Sequence, residues 1–244
     1  MQKHYTMIIM KFTEFIRNEL KGWKQYETYS LLFVLVFIFI NAFLFKDSPI
    51  AVCSAICGIL YTIIAGKGKI SCYFFGLLGS SCYIWLSYKN ALWGNMLLYL
   101  SYYIPMQVLG IFKWKRHLRE ETKEIVKIRL SNKDRFKLIF ISIIGCIGTI
   151  LILQHFHDKS PVIDGITTFL SILGMYLTVR RAIEQWVIWM VVNGLAFIMW
   201  LNLVLQGAKV ISTVIMWGVY LILAIYFYFI WRKELDGITP QNKQ

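Results

Sequence analysis

The sequence predicts an all-α integral membrane protein of about eight transmembrane helices, and three observations carry that prediction. Apolar residues make up 58% of the 244 residues and charged residues only 16%, with a mean hydropathy of +0.58. A water-soluble fold cannot hide that much apolar side chain behind so little charge. The apolar residues also gather in runs close to the roughly 20 residues that a helix needs to cross a bilayer. Finally, the cationic residues fall almost entirely into alternate gaps between those runs. A cytosolic enzyme and a disordered chain are excluded.

The runs are Tyr29 to Phe45, Pro49 to Ala65, Ile70 to Tyr88, Ala91 to Trp114, Phe136 to Gln154, Val162 to Val179, Glu184 to Leu205 and Ala208 to Trp231. Lipid offers no partner to open backbone groups, and the runs lack the alternation of barrel strands, so helices are the required form. Ahead of them, Ile8, Phe12, Phe15, Ile16, Leu20 and Trp23 recur at helical spacing among lysines and an arginine. That pattern predicts a helix lying in the membrane interface. It is too charged for the core of a signal peptide, and no small-residue cleavage site follows it.

The net charge is +13. With eight crossings both termini share one side, and 22 of the 26 cationic residues fall there; only Lys46, Lys89, Lys159 and Lys209 fall opposite. By the positive-inside rule both termini are cytoplasmic. The same bias explains the basic stretch Lys113 to Lys137 without nucleic acid, leaving membrane lipids as the partner of this surface. The cysteines Cys53, Cys57, Cys72, Cys82 and Cys146 lie inside apolar runs with no C-x-x-C pair. They read as small buried apolar residues, and His155 with His157 lacks the further ligands of a metal site.

An internal repeat appears when the runs are laid side by side. Tyr103 and the segment closing at Phe112-Lys113-Trp114 reappear at one constant offset as Tyr220 and Phe229-Ile230-Trp231. One loop further back in each unit stands a basic pair, Lys67 with Lys69 and Arg180 with Arg181. Runs two to four thus match runs six to eight, with run five between them. Three crossings per unit plus one intervening helix leave the two units parallel, the SWEET-like arrangement of secondary transporters, with the first run as an extra N-terminal helix. The predicted organisation is 1–48 for the interfacial and additional helices, 49–114 for the first unit, 115–160 for a basic loop and linker helix, 161–233 for the second unit and 234–244 for a cytoplasmic tail.

No run carries a Lys, Arg, Asp, Glu or His in its middle third. Ion-coupled pumps place ionisable groups there, and hydrolases need a nucleophile with a base, paired carboxylates or metal ligands. None of these can be assembled, so no catalytic residue, metal or cofactor is expected. Neutral polar and aromatic residues stand there instead. Trp186, Trp189, Asn193, Phe197 and Trp200 follow one another by three or four on one helical stripe. Asn95, Tyr99, Tyr102, Tyr103, Met106, Gln107, Gly110 and Trp114 share a face of the fourth run, and Ser212, Thr213, Trp217 and Tyr220 can complete the lining from the eighth. Packing with helix-to-helix amide bonds is the plainer explanation of such stripes. An amide one turn from an indole in hydrocarbon costs more than packing requires. Pro105 deprives the Ser101 carbonyl of its helical partner, which predicts a kink. A cage of indoles and amides without carboxylates suits a flat, organic, cationic solute.

The stretches Gly66-Lys67-Gly68-Lys69-Ile70, Gly94-Asn95-Met96-Leu97-Leu98, Tyr102-Tyr103-Ile104-Pro105-Met106-Gln107 and Gly110 to Trp114 resemble the PnuC family of vitamin transporters. So do the Trp186-x-x-Trp189-x-x-x-Asn193 pattern and the closing Tyr220 to Trp231. The resemblance runs from about Pro49 to Lys233. It implies nicotinamide riboside as the small-molecule substrate, a SWEET-like fold and a homotrimer in the bacterial cytoplasmic membrane. It further implies facilitated diffusion drawn inward by intracellular phosphorylation of the substrate. Trp186, Trp189 and Asn193 would then hold nicotinamide and ribose, with Gln107 and Tyr103 facing them from the other unit. Asn95 and Tyr99 stand where the family often has Asp and Asn, so Tyr99 reshapes the ribose side. A family carrier of thiamine or another nucleoside-like vitamin remains an alternative, as does a membrane scaffold or sensor without transport.

Overall fold

A computed structural model describes residues 25–45, 48–89, 93–120, 122–156, 161–206 and 211–238. The expected interfacial helix before Trp23 lies outside the described residues. The described residues are mostly helical: α1 (Gln25–Phe45), α2 (Pro49–Gly66), α3 (Cys72–Lys89), α4 (Trp93–Leu98), a π-helical turn (Tyr99–Tyr103), α5 (Ile104–Lys115), α6 (Asn132–His155), α7 (Pro161–Val179), α8 (Glu184–Leu205) and α9 (Ile211–Ile238). Among the described residues, α2, α6, α7 and Val214–Gly237 of α9 are each long and apolar enough to cross a bilayer unaided. The protein is therefore an all-helical, multi-pass membrane protein. Two shorter apolar stretches, Leu31–Asn41 and Glu184–Met199, belong to α1 and α8, and the buried polar residues Ser80 on α3 and Gln107 on α5 turn inward.

Pro105 has a different effect from a simple kink. The helix absorbs it one turn earlier, where the Ile104 N–H reaches the Tyr99 carbonyl five residues back. Such a bulge lets the ladder accommodate the missing N–H of proline. It also brings residues four apart nearly over one another, so Tyr99 and Tyr103 stack at 4.5 Å with rings 14° from parallel.

α2 begins at a cap in which the Ser48 hydroxyl accepts the Ala51 N–H and Pro49 opens the helix, as proline's fixed φ favours. It ends by swinging into the left-handed region at Gly68, φ 72°. α7 ends in the same way at Arg181, φ 63°. The hydrogen bonds repeat as well. Lys67 N–H to Ile63, Gly68 N–H to Ala65 and Lys69 N–H to Ile64 are matched by Arg180 to Tyr176, Arg181 to Thr178 and Ala182 to Leu177. Arg181 is held there by its guanidinium, which donates to the Val126 carbonyl at 2.8 Å. Burial, and then the neighbouring Arg180, lower its pKa from the ordinary arginine value.

Two buried tryptophans tie each half of the chain to the other. Trp114, at the end of α5, donates its indole N–H to the Thr178 carbonyl at the end of α7, 3.0 Å away. Trp231, on α9, donates to the Gly66 carbonyl at the end of α2, 2.7 Å away. Carbonyls in the last turn of a helix have no i+4 partner, and each half supplies an indole donor to one of them, at Thr178 beside the Arg181 N–H that it already accepts. Each indole meets an aromatic edge-on: Tyr73 against Trp114 at 5.0 Å and Trp186 against Trp231 at 5.5 Å.

The stretch between α5 and α6 is a strap laid across these helix ends. Its Ile125 N–H donates to Gly68 and its Ile128 N–H to Arg181, the left-handed residues that end α2 and α7. Lys69, almost fully buried, donates to the Thr122 carbonyl at 2.8 Å and pairs with Glu124 at 3.6 Å. Lys127 lies over the Trp231 ring at 5.3 Å and pairs with Glu234, which also meets Arg119 at 3.1 Å. Glu184 accepts the Leu130 N–H and pairs with Arg135 at 2.8 Å. The basic stretch is thus structured, with Ile125 and Leu130 buried among its charges. The Lys127 side chain is only 4% exposed, so Glu234→Gln strands a buried cation. That change is expected to cost about 2–3 kcal/mol, read as a lower melting temperature in detergent, while Arg232→Gln on the open surface leaves melting unchanged.

Candidate functional site

A cavity of about 890 Å³ lies between the two halves, within the usual range for a small-molecule site. Tyr99, Tyr103 and Gln107 line it from one half; Trp186, Trp189, Asn193, Trp217 and Tyr220 line it from the other. These are residues expected from the sequence, and the structure brings them to one space. Tyr102 is not among them. Its hydroxyl points sideways and donates to the Ile172 carbonyl on α7 at 2.7 Å, as consecutive residues of a helix face different sides. The Asn95 side chain lies outside the described residues.

One wall is a ladder of tyrosines. Tyr83 on α3 stands 4.4 Å from Tyr99, which stacks on Tyr103, and the Tyr103 hydroxyl hydrogen-bonds Ser171 on α7. Gln107, 3% exposed, donates from Nε2 to the Ser80 hydroxyl at 2.8 Å, and its Oε1 has no partner. Gly76 makes room for it: a Cβ there would sit 3.0 Å from that oxygen and 2.8 Å from the Tyr61 ring.

The facing wall rises along α8. Trp186 is packed against Phe227 at 5.4 Å, with its indole N–H unpartnered. Trp189 leans on Gly174, where a Cβ would come within 2.9 Å of the indole, and donates weakly to the Thr178 hydroxyl at 3.4 Å. The two halves solve this contact with sizes reversed. Large Tyr61 on α2 faces small Gly76 on α3, whereas small Gly174 on α7 faces large Trp189 on α8. Asn193, 6% exposed, follows one turn on. Tyr220 crosses to α2 and rests its hydroxyl against the bare backbone of Gly58.

The sequence reading missed several lining residues. Asn41 of α1 reaches the cavity, as do Ser54, Thr62, Thr167 and Ser171; their hydroxyls look like helix-internal packing until the neighbours are known. Gln185 also lines it, 1% exposed and with Nε2 unpartnered. The signal was an amide adjacent to Trp186, hidden because it sits at a helix start where polar residues are ordinary. Leaving a buried donor or acceptor unmet costs about 1–3 kcal/mol. Gln107, Gln185 and Trp186 each carry such an atom at this one cavity. Among the described residues, none that lines it is acidic or basic, and no cluster of potential metal ligands occurs.

The model of the nicotinamide mononucleotide transporter family matches residues 48–233. The chain belongs to this family. The nicotinamide riboside transporter PnuC of Neisseria mucosa is 33% identical over 241 residues, covering 96% of this chain and 90% of that relative. PnuC of Haemophilus influenzae is 29% identical, covering 87% of this chain and 92% of its own length. A crystal structure of the vitamin B3 transporter PnuC superposes with a TM-score of 0.77 at 33% identity, covering 89% of this chain and 95% of that one. The cavity therefore lies in a chain whose relatives are transporters.

Proposed function

We propose that the protein carries nicotinamide riboside across the cytoplasmic membrane by facilitated diffusion, drawn inward only by phosphorylation of the substrate inside the cell. The observation that carries this reading is the cavity wall: indoles, stacked phenols and carboxamides, with no acidic or basic side chain among the lining residues. A pyridinium ring is flat and positively charged, and aromatic faces attract such a cation by about 0.5–2 kcal/mol without a counter-ion. Ribose hydroxyls suit the amides and hydroxyls nearby. The same wall argues against a mononucleotide, because a phosphate dianion would be desolvated with no cation to meet it. That no carboxylate, Lys, Arg or His occurs among the described lining residues likewise favours uniport over ion coupling.

The architecture supports two parallel three-helix units of SWEET-like type, α2–α5 and α7–α9, joined by α6 with α1 as an addition, and hence eight crossings with both termini cytoplasmic. The matching helix ends, the reversed Tyr61/Gly76 and Gly174/Trp189 contacts and the exchanged tryptophan bonds all favour that reading. No residue of α6 is buried in the single chain, so its apolar surface is open to lipid or to the other copies of a homotrimer.

Purified protein in liposomes is expected to equilibrate radiolabelled nicotinamide riboside at the same rate with or without proton and sodium gradients. Its 5′-phosphate ester should neither enter nor compete. Accumulation above the outside concentration under a gradient would overturn the uniport mechanism, and equal uptake of the phosphate ester would overturn the substrate.

A further inference from the structure

We propose that Gln185 and Trp186 form a two-donor seat for the carbonyl oxygen of the substrate's carboxamide, at the end of the cavity next to the Arg180–Arg181 turn. This rests on the functional reading above and deepens it. Gln185 and Trp186 are consecutive residues in the first turn of α8, and both line the cavity. They are 1% and 3% exposed, and the Gln185 Nε2 and Trp186 Nε1 atoms find no acceptor. Their backbone N–H groups are already used, on Ala182 and Ile183 at 3.2 and 3.1 Å. Buried donors are almost always paired, so two neighbouring ones left open at a cavity mark the place of an absent acceptor.

The chemistry of that acceptor is constrained. An indole N–H only donates, so an ammonium group finds no acceptor in it, whereas a carbonyl oxygen, with two lone pairs, can take both donors. The matching turn of the other half has Cys72 and Tyr73 in these places, so the amide donor belongs to one half alone and can orient the solute. Distance along α8 decides which end of the riboside enters. Asn193 lies eight residues beyond Gln185, about 12 Å along the helix, with Trp189 midway. A flat ring against Trp189 therefore directs its carboxamide toward Gln185 and Trp186 and its sugar toward Asn193.

The test compares two ligands on purified protein: nicotinamide riboside and N-ribosylpyridinium, the same cation without the carboxamide. Calorimetry is run on the wild type, Gln185→Met and Gln185→Leu, both of which remove the donor without adding a charge. The wild type is expected to prefer the riboside with the carboxamide. Each variant should lose at least fivefold in affinity for it while binding N-ribosylpyridinium as before, and that retained binding also reports an intact fold. Equal loss for both ligands, or no loss for either, overturns the seat and leaves the functional reading standing. Failure of the wild type to bind either riboside overturns both.

Discussion

Asn193→Ala and Trp189→Ala are each expected to weaken nicotinamide riboside binding more than tenfold, or about 1.4 kcal/mol and upward. The indole offers a face to the pyridinium, and the amide of Asn193 is nearly buried at the same wall. Trp189→Ala removes the ring face and opens a void against Gly174, where a Cβ would now have stood 2.9 Å from the indole. Trp189→Phe keeps an aromatic face, so it should recover part of the loss. Calorimetry or quenching of tryptophan fluorescence reads the affinities, with melting curves checking the fold. Wild-type affinity in both alanine variants would remove the site from this wall.

The second large effect is on stability. A methyl group at Gly66 would meet three carbons of the Phe227 ring at 2.3 to 2.4 Å, so the whole ring must leave its place rather than tilt. Phe227 is 2% exposed and packs on Trp186, and Gly66 also presents the carbonyl that Trp231 bonds. Overpacking at such a contact costs about 1–3 kcal/mol. Gly66→Ala is expected to lower the melting temperature and, through Trp186, to weaken substrate binding. Gly66→Ala combined with Phe227→Leu should melt higher than Gly66→Ala alone, since leucine vacates the ring's edge. A double variant no better than the single one would place the damage in the backbone of the helix end.

Much of this was legible in the chain. Helical periodicity and the length of apolar runs marked the membrane helices, and the spacing of Trp186, Trp189 and Asn193 put them on one stripe because a helix leaves no other choice. What escaped had its cause in contacts distant in sequence. The π-helical turn before Pro105 is a local answer to proline, but the direction of Tyr102 depends on α7 being there to accept the hydroxyl. The strap looked like an ordinary positive loop because charge counts are blind to which lysines are buried; Lys69 and Lys127 are, each against a carboxylate from far along the chain. Gly76 and Gly174 carried no signal of their own, since their role is to be small opposite Tyr61 and Trp189.

The exchanged tryptophan bonds bear on ancestry. Each half ends in an indole that completes a helix of the opposite half, and neither bond needs a covalent link between the two. Two separate copies of a single three-helix ancestor would have satisfied one another in the same manner. If the halves are repeats of one unit, as proposed above, a duplication would have needed only to add α6 between them, leaving each copy free to change size at the contact where Tyr61 meets Gly76 and Gly174 meets Trp189.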